Sequence, residues 1–142
     1  MTSIFYISTI IFLILELRWI IAPIDKTNDA KAFMDLSKEF KGKEWNEYSD
    51  EYKTHVKSKI WLVWVLFWML IGLFTVQWVG FLLIIVFNFI IVAPLSKLTK
   101  YSMAYTIIHW FNSLIGFCFG VFVIVNHYHL HIDLTKWFLS LF

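Results

Sequence analysis

Residues 60–96 read IWLVWVLFWMLIGLFTVQWVGFLLIIVFNFIIVAPLS, a run without one charged side chain. As a single straight helix it would measure about 55 Å at 1.5 Å per residue, well beyond the ~30 Å hydrocarbon core of a bilayer. An amide, an interfacial ring and a glycine coincide at Gln77, Trp78 and Gly80, so the run predicts a helical hairpin that turns there. Its arms, residues 60–76 and 79–95, are each about 17 residues long, the lower limit for a crossing. A re-entrant pair would leave irregular backbone at membrane depth for other protein to cover, so two full crossings are expected.

On either side the same reading continues. Residues 4–22 are apolar apart from Glu16 and Arg18 and are long enough to span. No Lys or Arg precedes them and Ala22-Pro23 is a poor cleavage site, so this span is expected to be retained. Residues 103–126 are uncharged and carry Gly116 and Gly120 one turn apart, a pair suited to close helix packing. Beyond them Asp133 can cap a short interfacial helix over 133–142, with Leu134, Trp137, Phe138, Leu141 and Phe142 on one side and Lys136 on the other. The expected fold is all-α: one polytopic membrane domain of four transmembrane helices, with a charged amphipathic helical segment between the first two.

Composition agrees, since 60% of the chain is hydrophobic and 15% charged, more apolar surface than a soluble core of this length can absorb. The 15 Phe, 8 Trp and 6 Tyr suit lipid-facing helices anchored at the interfaces. Cys118 stands alone, which excludes an intramolecular disulfide and any cysteine-based zinc motif. A net charge of +2, with bases and acids mixed, offers no electrostatic stripe for nucleic acid.

Lysines set the expected orientation. Lys26, Lys31, Lys38, Lys41, Lys43, Lys53, Lys57 and Lys59 lie between the first two spans, and Lys97 and Lys100 follow the third. The other side has only Lys136. The positive-inside rule then puts residues 24–59 in the cytoplasm and both termini outside, in a bacterial or phage-encoded cytoplasmic-membrane protein. Residues 28–58 read as two helices divided at Gly42, with stripes of Phe33, Leu36 and Phe40 and of Trp45, Tyr48, Tyr52 and Val56. Those stripes can pack on the interface, on each other or on a cytoplasmic partner. Because the segment is charge-balanced, it is not a polybasic lipid switch.

Ionisable groups inside a span are costly, which singles out Glu16 and His109. Counted from the expected span ends, Glu16, Asn88 and His109 all lie roughly 10 Å inside the cytoplasmic boundary. Asn112 and Ser113 extend that layer by one turn. Either the layer fixes helix register through interhelical hydrogen bonds, or it handles protons or ions. Arg18, two residues from Glu16, points away from it and can snorkel to the surface. At the other end His127, His129, His131 and Asp133 offer ligands for a divalent transition metal, or else populate the interface as imidazoles do. An extended chain would point all three imidazoles to one side, and a helix only His127 and His131. His109 and His127 would lie about 27 Å apart on one helix, yet each haem would need a second ligand that no other span provides.

No nucleophile–base pair or phosphate-binding loop occurs, and no cofactor is expected beyond that metal. The expected function is a small non-enzymatic membrane component, an accessory or assembly subunit that binds lipid and either other membrane subunits or itself. The alternatives are a homo-oligomeric ion or proton channel, or a holin- or toxin-like pore, lined by the Glu16 layer, and a membrane metalloprotein using the outer histidines.

Overall fold

Helix is the only regular structure among the described residues of the computed structural model, which are 2–39, 42, 44, 47 and 49–141. An apolar segment in a bilayer must satisfy its backbone hydrogen bonds within itself, and helices do so. Among the described residues three helical stretches are long and apolar enough to cross a membrane: Ser3–Ile21, Trp78–Thr99 and Met103–Leu130. The first belongs to α1 (Thr2–Ile21), which is followed after Ala22 by α2 (Pro23–Glu39). Proline at the first position of α2 costs no hydrogen bond, because the first amides of a helix have no partner within it.

The charged segment continues with α3 (Asp50–Ser58), and after Lys59 comes α4 (Ile60–Gly72). At 13 residues α4 stops short of the expected end at residue 76. The cause is Thr75, whose hydroxyl donates to the Gly72 carbonyl (2.7 Å) and accepts from the Gln77 amide (3.2 Å), closing a turn over residues 73–77.

The following arm is longer than expected. It comprises α5 (Trp78–Phe87), a π-helical turn Asn88–Val92 and α6 (Ala93–Thr99). Pro94, second in α6, lacks an amide and its ring would collide with the carbonyl four residues back. Upstream, the wide turn closes with the Ala93 amide donating to the Asn88 carbonyl, five residues back, so the helix widens as it reaches the proline. The chain ends with α7 (Met103–Val125), a second π-helical turn Asn126–Leu130 and α8 (Leu134–Leu139). Asp133 caps α8 as expected, its carboxylate accepting the Thr135 and Lys136 amides at 3.0 Å.

Helix α7 runs antiparallel to α1 and to the start of α2. Tyr6 lies against His127, Phe12 against Gly116, the Trp110 indole donates to the Ile20 carbonyl, and Thr27 meets Thr106. This register holds across the Ala22–Pro23 junction as far as Thr27, so α1 and the start of α2 form one rail along α7. A second rail, α4 and α3, runs back along it. Trp68 packs on Phe12 and Thr9, Lys59 pairs with Asp29, and Phe33 stacks on Tyr52 at 5.8 Å. Gly42, in a turn with φ +84°, supplies the expected break between α2 and α3. Phe40, Trp45 and Tyr48 of the expected stripes, and Phe142, lie outside the described residues.

The core gathers toward the end that holds the amino terminus and the 73–77 turn. Phe5, Phe12, Trp68 and Phe81 are buried there, with Phe119 against them. Small residues let these rings approach: a Cβ at Gly72 would lie 2.3 Å from the Phe81 ring, and one at Gly80 would lie 2.6 Å from Phe119.

Candidate functional site

Helix α7 organises the polar layer, and the expected residues on it find partners on two sets of neighbouring helices. Toward α5 and α6, Asn112 donates to the Asn88 carboxamide (2.9 Å), and Asn88 donates to the Ile84 carbonyl (2.9 Å). On the same side His109 Nε2 lies 2.9 Å from the Ser96 hydroxyl, with Tyr105 packed on its ring at 4.2 Å. Ser96 sits two residues after Pro94, and sequence spacing gave no sign of its pairing with His109. Asn88 and Asn112 thus meet directly, while His109 is held one step away.

The adjoining side of α7, only about 40° round the helix from His109 at Ser113, meets α1 and α2. Thr106, Ser113, Gly116 and Gly120 are all buried on it. Phe12 and Glu16 pack over Gly116, where a Cβ would stand 3.1 Å from Phe12 Cζ and 3.9 Å from Glu16 Cδ. Ser113 lies beside the Glu16 carboxyl, and the Lys26 ammonium donates to the Ser113 hydroxyl at 2.9 Å. Glu16 Oε2 is buried with no hydrogen-bond partner among the described residues. Lys26 belongs to the first turn of α2, and its long stem reaches back along α7 toward the interior. Burial pushes its ammonium below the usual lysine range, and the Glu16 carboxylate opposes that shift. By sequence Lys26 is one charge among those expected in the cytoplasmic segment, with no sign of a place beside Glu16. Arg18 turns away from Glu16, as expected, and lies over the Trp19 ring at 5.0 Å.

At the other end the four expected metal ligands are not brought together. His127 packs on Tyr6 at 4.2 Å, His129 and His131 are exposed, and Asp133 is engaged as the α8 cap. Among the described residues no group of three or more His, Cys, Asp or Glu is placed to hold a metal ion. The backbone explains the divergence. The segment is neither extended nor α-helical, because a π-helical turn carries His127 and His129 and His131 is left-handed at φ 52°.

Fold and site together define a class: a protein that is helical throughout its regular structure among the described residues, with three helices there compatible with membrane crossing, joined by buried polar contacts. Comparison with family models, with curated proteins and with solved structures gives no match.

Proposed function

We propose that this is a non-enzymatic membrane component that crosses the bilayer four times and holds a rigid charged hairpin on the cytoplasmic side to bind another subunit. The observation that carries this reading is the pair of continuous rails. α1–α2 and α4–α3 lie antiparallel, clasped by the Lys59–Asp29 ion pair and the Phe33–Tyr52 stack. The 20 residues of α1 already match the ~30 Å of hydrocarbon, so the charged α2–α3 hairpin that follows is left outside it. The lysine distribution puts that hairpin inside.

Helix α4 completes its crossing through the turn, whose Phe74 and Val76 are apolar and exposed. The C-terminal segment covers this irregular backbone, because Thr135 donates to the Val76 carbonyl (2.9 Å). A pore formed by several copies is less well supported. Asn88, Asn112 and His109 find partners within one chain, while exposed positions on the spans include Ile4, Ile7, Ile14, Leu66, Leu83 and Phe111. Reporter fusions are expected to place Gly42 in the cytoplasm and the carboxy terminus outside. A photo-crosslinker at exposed Asp35 is expected to join one foreign protein that also co-purifies at fixed stoichiometry. A reversed topology, or a closed ring containing only this chain, would refute the proposal.

A second reading rests on the unpartnered Glu16 Oε2. A buried carboxyl beside Ser113 and Lys26 is suited to take up and release a proton, with Lys26 as its counter-charge. In proteoliposomes the parent chain should then carry proton flux, and Glu16→Gln should abolish it while the helical signal stays unchanged. Absence of flux from the parent rejects this reading.

A further inference from the structure

A cavity of about 530 Å³ opens where α1, the 73–77 turn, α7 and the C-terminal segment meet. Its size falls in the ~300–1,000 Å³ range of small-molecule sites. Phe5, Ile71, Phe74 and Val123 contribute an apolar wall. The polar side carries Tyr6, His127, His131 and Lys136.

The segment that forms this side is fixed by a dense clasp. Asn126 and Ile132 exchange two hydrogen bonds, at 2.8 and 2.7 Å, and Gln77 Nε2 donates to the same Ile132 carbonyl at 2.7 Å. The His131 amide donates to the Asn126 carbonyl at 2.8 Å, which holds His131 in its left-handed conformation. A site so fixed loses little freedom when a ligand arrives.

Its donors are largely unspent. Among the described residues the Tyr6 hydroxyl and the His127 and His131 imidazoles have no hydrogen-bond acceptor, and Lys136 has only a 3.9 Å ion pair with Asp133. The one carboxylate present, Asp133, already accepts two backbone amides through Oδ1. Several donors beside an apolar wall match an amphiphile with an oxygen-rich acceptor head. In a chain that crosses the bilayer, this end of the bundle stands at headgroup level.

We propose that the cavity holds the phosphodiester head of a membrane phospholipid, with its acyl chains leaving along the exposed Phe74 and Val76. The proposal requires the membrane placement but not the hairpin's partner, so the two fail separately. Full-length protein, stripped of lipid in detergent, is offered phosphatidylglycerol or a galactosyl diacylglycerol with the same acyl chains, and retained lipid is read by native mass spectrometry. One phosphatidylglycerol should remain per chain, and the phosphate-free lipid should not displace it. Combining Lys136→Gln with Tyr6→Phe should lower retention by about fivefold or more, since one basic side chain contributes about 1 kcal/mol at a lipid headgroup. Unchanged circular dichroism and thermal midpoint would show that the fold is kept. Equal retention of the galactolipid overturns the proposal, as does undiminished retention in the variant, which would place the phosphate elsewhere. Displacement by millimolar inorganic phosphate would show that the site takes the free ion and not a lipid.

Discussion

Trp68→Ala is expected to destabilise the bundle more than any other single truncation, by about 3 kcal/mol or more. The indole is fully buried, stacked on Phe12 at 3.9 Å and 15°, and edge-on to Phe81 at 4.9 Å. Its Nε1 donates to the Thr9 hydroxyl at 2.8 Å, and Thr9 in turn donates to the Phe5 carbonyl. Lipid tails are as apolar as these rings, so the loss on truncation is chiefly of packing contacts and one hydrogen bond. Trp68→Phe keeps most of the stacking and leaves Thr9 bonded to Phe5, so it should cost about 1 kcal/mol. Reversible unfolding in mixed detergent micelles would separate the two variants. If Trp68→Ala unfolded within 1 kcal/mol of the parent, the aromatic core would not be what joins α4 to α1.

The second large effect is expected from Gly120→Leu. A Cβ there would stand 2.8 Å from Leu13 Cδ2 and 3.4 Å from Phe12 Cδ1. The end of a leucine can shift by a few tenths of an ångström, so Gly120→Ala should be borne at about 1 kcal/mol. Three further carbons have nowhere to go without moving α1 off α7. Loss of about 3 kcal/mol or more is expected for the leucine variant, with a widened distance between spin labels on the two helices. Equal stability of the alanine and leucine variants would mean that α1 and α7 do not meet at this glycine.

Composition, apolar run lengths and the Gln77–Gly80 signal carried the helical, membrane-compatible reading, because each depends on local properties of the chain. Depth along a helix was legible for the same reason: residue counts placed Asn88 and Asn112 within reach, and they do bond. Direction around the helix was harder. His109 and Ser113 are four apart and differ by only about 40°, yet one faces Ser96 and the other Lys26. Which neighbour stands at which angle is a tertiary fact with no trace in one sequence. Lys26 escaped notice because a flexible side chain can return to a polar layer from outside a span. The spacing of the histidines gives their directions only on a regular backbone, and the π-helical turn and the left-handed His131 depart from one.

The pairing of α1 with α7 also fixes when the molecule can be finished. Trp110 finds its acceptor at Ile20, 90 residues earlier in the chain, and Gly116 and Gly120 emerge from the ribosome later still. Until α7 is made, α1 waits without its chief neighbour, with Glu16 lacking both Ser113 and the glycine face that receives it. Closure of the bundle is therefore a long-range event, set by the arrival of α7 and not by the formation of α1.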